Sequence, residues 1–257
     1  PRYDPDALPA HAAKYRDSLI IPDKILLYGK YWKTELEKNQ FYTEQLVVVG
    51  SSQIDKYRKK RLAYLEQRND EASCTILFTS QGIDRERLIE FLSHFFRMAQ
   101  GKLNYEFYIK LHPGFEYDKQ IYEIPLGKFP NVHILLGAED PSTYELQAKA
   151  DYHVSISSAS HYDALGLGVP TIILPFATHE DVLHLVTAGH AKLVRTPEEF
   201  LDVLLDEPGK VPSDVSTYYF EPNALGNIKR VLENCNGTKE KALLLNGQAS
   251  FELDGVQ

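Results

Sequence analysis

Residues 74–111 read CTILFTSQGIDRERLIEFLSHFFRMAQGKLNYEFYIKL, and this stretch decides the fold. The run Cys74–Thr79 is short and mostly apolar, which predicts a buried strand. Residues 84–100 repeat apolar side chains three and four positions apart, which predicts a helix with one apolar face, and Gly101 stands where that helix ends. Tyr105–Leu111 alternates polar and apolar residues as a strand does. The stretch therefore predicts a strand, a helix and a second strand in succession.

The same alternation of strand and helix continues on both sides of this stretch. Single helices between strands require right-handed crossovers onto a parallel sheet, so the predicted fold class is α/β with a doubly wound parallel sheet. Ligands of such sheets bind outside the carboxyl ends of the strands. Further expected strands are residues 24–28, 45–49, 132–136, 152–156, 171–174 and 192–194, and further expected helices are residues 31–38, 53–67, 142–150, 161–167, 180–188, 197–205 and 224–234.

Composition narrows the classes of protein that the chain can represent. Its 257 residues are 43% hydrophobic and 25% charged, and its apolar runs are far shorter than the roughly 18 residues of a membrane span, so we expect a soluble protein. A net charge of −8 disfavours nucleic acid as a partner. Cys74 and Cys235 form no CxxC pair, which predicts no zinc site and favours a reduced, cytoplasmic location.

The ends of the chain carry little periodic pattern. The chain begins at Pro1 with neither Met nor an apolar leader, so we expect a piece of a longer protein. Residues 1–44 are predicted to be a lead-in segment, residues 45–235 the main domain and residues 236–257 a tail. Asp4-Pro5-Asp6 spells a metal-binding pattern, but it follows no strand, so no metal is expected.

Residues 110–114, Lys-Leu-His-Pro-Gly, close one predicted strand. A histidine at the carboxyl end of a strand, held by a proline and beside a glycine that admits close approach, can donate a hydrogen bond to a phosphate oxygen. His112 can equally be a residue that only satisfies a turn.

Residues 156–170, ISSASHYDALGLGVP, pass from a strand into a helix through small hydroxyl residues. The free N–H groups of a helix start and the hydroxyls of Ser158 and Ser160 can hold a phosphate without a basic residue. Asp163, one turn into the helix, can accept hydrogen bonds from ribose hydroxyls. The alternative is that one serine is an ordinary N-cap and that Asp163 complements the helix dipole.

Ser80-Gln81-Gly82 forms a third loop, between the strand ending at Thr79 and the helix that starts near Asp84. Gly82 can admit a ligand or simply make the turn, and Asp84 is a candidate N-cap. All three loops fall at the same edge of the predicted sheet, which makes that edge the expected binding site.

The residues 75–205 resemble the C-terminal half of the GT-B glycosyltransferases of bacterial capsule and surface-polysaccharide synthesis. His-Pro and Ser-rich motifs similar to Lys110–Gly114 and Ser158–Ser160 contact the donor nucleotide in bacterial sialyltransferases and teichoic-acid polymerases. The resemblance implies that residues 45–235 are a Rossmann-like nucleotide-sugar-binding domain, one half of a GT-B architecture. It also implies that residues 1–44 are a lead-in and interdomain segment left from an upstream domain. The residues expected to bind the donor nucleotide are Ser80, Gln81, Gly82, Lys110, His112, Pro113, Ser158, Ser160 and Asp163, with His112 also in a catalytic role at the leaving phosphate.

The resemblance implies a metal-independent glycosyltransferase that transfers sugar from a CMP-, CDP- or UDP-linked donor to a surface polysaccharide or glycan. It needs no cofactor beyond the nucleotide sugar. Its acceptor, a glycan or a lipid-linked glycan, would be held by an upstream domain, and the cytoplasmic enzyme would act at the inner face of the membrane. Two alternatives stay open: a sugar-nucleotide epimerase of the same architecture, and a noncatalytic nucleotide-binding module.

Overall fold

The computed structural model describes residues 22–38, 44–69 and 73–235. By its contacts the chain divides into two compact units, whose described residues are 22–38, 44–55 and 220–235 in one and 56–69 and 73–219 in the other. The predicted lead-in 1–21 and the predicted tail 236–257 lie outside the described residues. The predicted domain limits at residues 44/45 and 235/236 stay predictions.

The larger unit is built on a six-stranded parallel sheet. Its spatial order is β5-β4-β3-β6-β7-β8, so the chain winds outward from β3 in one direction and then returns to β6 and winds outward in the other. This confirms the predicted doubly wound α/β fold. The strands are β3 (Cys74–Thr79), β4 (Tyr105–Lys110), β5 (Val132–Leu135), β6 (Tyr152–Ser155), β7 (Thr171–Ile173) and β8 (Ala191–Leu193).

Helices connect these strands at the places that the apolar spacing predicts. Two further helices, α4 and α9 below, were not predicted, because α4 carries Pro125 in its interior and both are only seven residues long. The helices are α2 (Ser52–Gln67), α3 (Arg85–Ala99), α4 (Gln120–Leu126), α5 (Thr143–Lys149), α6 (Ser160–Leu167), a 3₁₀ turn (His179–Val182) continued by α7 (Leu183–Thr187), α8 (Pro197–Leu205) and α9 (Ser213–Tyr219).

An aromatic core fills the space between the sheet and helix α3. Phe95 lies at the centre, with its ring 4.5 Å from that of Phe200 and 6.1 Å from that of Phe107. All three side chains are fully buried. Removing one such ring typically costs about 3–5 kcal/mol, so this core fixes the positions of the strands whose ends form the site.

The smaller unit contains a parallel strand pair, β1 (Ile25–Leu27) with β2 (Leu46–Val48), and helix α1 (Lys30–Glu37). Residues 224–235 form helix α10. The backbone N–H of Glu221 donates to the carbonyl of Tyr28, and the Asn227 amide donates to the carbonyl of Val49. These bonds join chain segments about 180 residues apart, a pairing that local sequence pattern does not reveal.

Candidate functional site

The topology brings three loops together at the carboxyl edge of the sheet. Strand β3 lies between β4 and β6, and the chain reverses its winding direction between β3 and β6. Neighbouring strands are about 4.8 Å apart, so the loops after β4 and β6 begin about 10 Å from each other. In doubly wound sheets this crevice is where ligands bind. The three predicted loops therefore face one site.

His112 follows β4 and has its tautomer set by the loop. The backbone N–H of Gly114 donates a hydrogen bond of 3.0 Å to His112 Nδ1. A neutral imidazole that accepts at Nδ1 carries its proton on Nε2. Among the described residues none accepts a hydrogen bond from Nε2. The ring stacks on Phe115 with 4.5 Å between centroids, so His112 presents a fixed N–H donor at the edge of the sheet.

The Glu116 side chain is hydrogen-bonded to the loop that contains His112 and Pro113. Its buried carboxylate accepts from the His112 backbone N–H at 2.9 Å, from the Ser80 hydroxyl at 2.9 Å and from the Tyr122 hydroxyl at 2.6 Å. Burial and this carboxylate raise the pKa of Tyr122. Ser80 is buried as well, and its hydroxyl forms hydrogen bonds within this internal network instead of facing the open crevice. Glu116 and Tyr122 carry no local motif and were missed.

Pro113 has its backbone packed against the loop after β5. A Cβ on Gly137 would lie 2.6 Å from the Pro113 nitrogen, Cα and Cβ, a distance at which real atoms collide. Only glycine fits there. The proline side chain is exposed on its other face, beside His112.

Lys110, the last residue of β4, turns away from the crevice. Its ammonium group donates to the carbonyls of Glu139 and Pro141, and the residue is 2% exposed. Desolvation lowers its pKa, opposed by the charges of Glu139 and Asp140. In this arrangement Lys110 anchors the loop after β5, and its predicted contact with the nucleotide stays a prediction.

The start of helix α6 has the features of an anion site. The Ser158 hydroxyl accepts from the Ser160 N–H at 3.2 Å and donates to the Ser160 hydroxyl at 3.1 Å. The N-cap residue is Ala159, whose side chain cannot accept a hydrogen bond, so Ser158 supplies the side-chain acceptor at this helix start. The N–H groups of Ser158 and Ala159 have no partner among the described residues. Two free donors at a helix start attract a negatively charged group.

Gln81 ties the loop after β3 to the loop after β6. Its side-chain oxygen accepts from the Ser157 N–H at 3.0 Å. Gly82 next to it has φ +70°, which favours glycine, and a Cβ there would lie 3.3 Å from Glu116 Cγ. Asp84 was a candidate N-cap, but it makes no capping bond to α3; its carboxylate accepts from the Ala177 N–H at 2.9 Å. Asp84 does stand at the predicted N-cap position, and its left-handed backbone conformation accompanies the absence of the capping bond.

Asp163 lies on α6, one turn after the anion site. Its carboxylate accepts from the Tyr144 hydroxyl at 3.4 Å. Burial raises its pKa to about 6, against a smaller lowering by that hydrogen bond. With a pKa of about 6, the Asp163 carboxyl group ionises near neutral pH. Its carboxylate accepts only this one long hydrogen bond from a described residue, so it can still accept hydrogen bonds from ligand hydroxyls.

Two buried histidines support α6 from inside the sheet. His153 Nδ1 and His161 Nδ1 both bond the Thr171 hydroxyl, at 2.9 Å and 2.6 Å, and His153 Nε2 bonds Thr79 at 2.9 Å. Both rings are fully buried, which lowers the pKa of His161 to about 4 and also lowers that of His153. These hydrogen bonds stabilise the strands and the helix that carry the site. The sequence did not predict them, because the residues that form them are far apart along the chain.

Metal-ligating side chains do not gather in the described part of the chain: no group of three or more His, Cys, Asp or Glu has the geometry of a metal site there. Asp4 and Asp6 lie outside the described residues. Cys74 and Cys235 are free thiols, and burial raises the pKa of Cys74 to about 12. Within the same described ranges, none of the helices combines the length and apolar character needed to cross a membrane.

No protein-family model and no curated protein matches the sequence. Solved structures do match. UDP-GlcNAc 2-epimerase from Neisseria meningitidis, bound to UDP-GlcNAc, is 20% identical with a TM-score of 0.53, over 82% of this chain and 61% of that one. The wall teichoic acid polymerase TagF is 14% identical with a TM-score of 0.54, over 94% and 64%. MurG from Acinetobacter baumannii is 14% identical with a TM-score of 0.52, over 88% and 70%.

These neighbours are GT-B fold enzymes, and the likeness shows the fold. The six-stranded parallel sheet of the larger unit is a Rossmann-like sheet of the kind they contain. The chain spans about three fifths of the length of the first solved structures it matches, 61% in both 2-epimerases.

Proposed function

We propose that this chain is the donor-binding half of a GT-B glycosyltransferase that takes its sugar from a nucleotide-linked donor. The observation that carries the proposal is the pairing of His112, with its proton set on Nε2, and the two free N–H groups at the start of α6, on either side of the β3 loop. These donors suit one phosphate group and need no metal. Two of the neighbouring structures were solved with UDP-GlcNAc, which is consistent with such a ligand.

The chemistry follows from where charge develops in the reaction. When the bond between the donor sugar and its nucleotide breaks, negative charge grows on the leaving phosphate. Donors that are already oriented stabilise that charge without reorganisation, an effect that is often the largest in catalysis. His112 would donate through Nε2, Ser158 and Ala159 through their backbone N–H groups, and Asp163 would accept from the ribose.

The acceptor and the catalytic base are expected from the remainder of a longer protein. Transfer to a bacterial surface polysaccharide or glycan, in the cytoplasm at the inner membrane face, is the setting that we propose. The teichoic acid polymerase, whose alignment covers 94% of this chain, is the neighbour that favours a polymer product.

A sugar-nucleotide 2-epimerase is the second candidate. It is favoured by two neighbours with TM-scores of 0.53 and 0.52, close to the 0.54 of the polymerase. An epimerase needs the same nucleotide site, so His112 and the α6 start would keep their roles. A module that only binds nucleotides, without catalysis, is the alternative from another class.

Calorimetric titration of the chain with cytidine, CMP, CDP, uridine, UMP, UDP and UDP-GlcNAc tests the shared part of the proposal. We expect the phosphorylated ligands to bind more tightly than the nucleosides. Preference for cytidine nucleotides would favour the transferase over the 2-epimerase, whose solved structures contain uridine nucleotides. Failure of every nucleotide to bind at millimolar concentration would refute the nucleotide site.

A further inference from the structure

We propose, resting on the proposed function, that four buried side chains form a one-way hydrogen-bond chain that positions the start of α6. Its members, in the order in which each donates to the next, are Thr79, His153, Thr171 and His161. Thr79 and Thr171 are thereby positioning residues for the proposed phosphate site, and the two histidines carry opposite tautomers. All four side chains are buried, so none of them is assigned a contact with the ligand.

The Thr171 hydroxyl makes the two histidines unlike. Its oxygen lies 2.9 Å from Nδ1 of His153 and 2.6 Å from Nδ1 of His161. A hydroxyl has a single proton, so it donates to one of these nitrogens and accepts from the other. Burial lowers the pKa of both rings, so each imidazole is neutral near neutral pH and carries one proton. One ring is therefore protonated at Nδ1 and the other at Nε2.

The groups left without partners decide which way the chain runs. If His161 held its proton on Nδ1, His153 would hold its own on Nε2 and donate to the Thr79 hydroxyl at 2.9 Å. The Thr79 proton would then have no acceptor among the described residues, and Nε2 of His161 would have no donor. The opposite direction leaves only the Nε2–H of His161 without a hydrogen bond. Because every buried polar group left unpaired destabilises the fold, the chain runs from Thr79 to His161.

The chain ends in the first turn of α6, beside the free N–H groups. His161 is the second residue of the helix, and its backbone N–H donates to the Ser158 carbonyl at 3.2 Å. Burial lowers the pKa of its imidazole, and the Ile156 carbonyl opposes that lowering, as an acceptor close to the ring does. The N–H of the same peptide unit, that of Ser157, donates to Gln81 at 3.0 Å. The peptide that leads into the free N–H groups is thus held at both ends.

The end of β3 anchors both halves of the proposed set of phosphate donors. Ser80, the residue after Thr79, donates to one oxygen of Glu116, and the other oxygen of Glu116 accepts from the His112 N–H. The Thr79 hydroxyl is the first donor of the chain that ends at α6. Two consecutive hydroxyl residues therefore hold the His112 loop and the α6 start in position relative to one strand.

A structural alternative is that the chain only stabilises the sheet. Tyr152, at the beginning of β6, provides the comparison, because its buried hydroxyl lies 3.2 Å from the carbonyl oxygens of Val203 and Asp206 and takes no part in the chain. The alternative predicts that removing either kind of hydroxyl lowers stability and leaves phosphate binding unchanged. The proposal predicts a loss of phosphate binding for the chain alone.

Imidazole nitrogen NMR of the ligand-free protein tests the direction of the chain. We expect His153 to carry its proton on Nδ1 and His161 to carry its proton on Nε2 near neutral pH. The reverse pair of tautomers, or the same tautomer on both rings, would overturn the chain. Neither result depends on what the protein binds.

Calorimetry with uridine and UMP, and with cytidine and CMP, tests the positioning role, with thermal unfolding recorded for every variant. We expect Thr79→Val and Thr171→Val each to weaken nucleotide binding about tenfold and to change nucleoside binding less than about twofold. Thr171→Ser, which keeps the hydroxyl, and Tyr152→Phe should both bind nucleotides within about twofold of the wild type. If Thr171→Val does not fold, Thr79→Val and the tautomers carry the test.

The outcomes separate this inference from the proposed function. Unchanged nucleotide affinity in the valine variants that fold, with a wild type that binds nucleotides, assigns the chain to stability alone and leaves the proposed function intact. An equal loss in Tyr152→Phe also removes the positioning role, because general destabilisation then explains the effect. A wild type that binds no nucleotide refutes the proposed function and the positioning role together, while NMR still decides the tautomers.

Discussion

The backbone N–H of Gly114 donates to Nδ1 of His112 at 3.0 Å, and this one bond sets the chemistry of the imidazole. It leaves Nε2 as the protonated nitrogen of the neutral ring, so His112 is a hydrogen-bond donor without acquiring a positive charge. The stacking on Phe115 holds the ring in the same orientation. A donor that is oriented before the ligand arrives loses little conformational entropy on binding.

Replacing His112 by Phe tests the role of that donor. The variant keeps an aromatic ring for stacking on Phe115 and removes only the nitrogen atoms. We expect nucleotide affinity to fall by about 10- to 150-fold, which corresponds to a charge-assisted hydrogen bond of about 1.5–3 kcal/mol. Calorimetry with UDP or CDP measures it. Nitrogen NMR of the wild-type imidazole should show the Nε2–H tautomer, and unchanged affinity in a folded variant would remove His112 from the site.

The double variant Ser158→Ala, Ser160→Ala tests the start of α6. The hydroxyls bond each other and one N–H, and they lie beside the free N–H groups of the loop. We expect binding of a nucleoside mono- or diphosphate to weaken much more than binding of the nucleoside, because in the proposed site the lost hydroxyls would face phosphate oxygens. If the serines act only as a cap, stability should fall by about 0.5–2 kcal/mol with equal effects on both ligands. Thermal unfolding and both affinities on one protein separate the results.

Asp163→Asn should make stability less dependent on pH. Burial raises the Asp163 pKa from 3.8 to about 6, so the folded protein holds this proton more tightly than the unfolded chain does. The stabilisation from that proton is complete below about pH 4 and is lost as pH rises through about 6. Asn should therefore raise the free energy of unfolding by about 3 kcal/mol at pH 8 and by little at pH 4.

Urea unfolding of the wild type and Asp163→Asn at pH 4, 6 and 8 measures this difference. If Asp163 also binds ribose, the same variant should lose affinity for nucleosides and nucleotides alike. A variant that is less stable than the wild type at pH 8 would show that the carboxylate is stabilised in the fold, contrary to its burial.

Thr171→Val should destabilise the larger unit strongly. The hydroxyl forms hydrogen bonds with both His153 and His161, whose rings are fully buried. Two imidazole nitrogens without partners should cost about 2–4 kcal/mol. Chemical unfolding measures the loss, and Thr187→Val, an exposed residue of α7, is the control and should change stability by less than about 0.5 kcal/mol. A near-neutral Thr171→Val would show that the histidines bond each other or other groups.

The sequence predicted the elements whose pattern is local. Strand β3 has the predicted limits, Cys74–Thr79, and helix α3 differs from the predicted 84–100 by one residue at each end. Helix α4 was missed because Pro125 interrupts its pattern and its buried face consists of only Tyr122 and Leu126. The pairing of β1 and β2 with residues 220–235 depends on contacts between distant segments, which no short window contains.

The sequence predicted which edge of the sheet the three loops occupy, but it did not predict the hydrogen bonds of their side chains. Parallel topology alone brings the loops after β3, β4 and β6 to one edge. Which side chains face the crevice depends on bonds between those loops: Lys110 is turned aside by the carbonyls of Glu139 and Pro141, and Ser80 is taken by Glu116. A sequence pattern carries no information about such partners until the fold is known.

Gly137 lies so close to Pro113 that any side chain at position 137 would overlap the proline backbone. This contact fixes the spacing of two loops whose residues are 24 positions apart in sequence. Two of the three atoms at 2.6 Å are the nitrogen and Cα of residue 113, which every amino acid has, so replacing Pro113 would not make room for a side chain at 137. A larger residue at 137 therefore requires the backbone of the His112 loop to move.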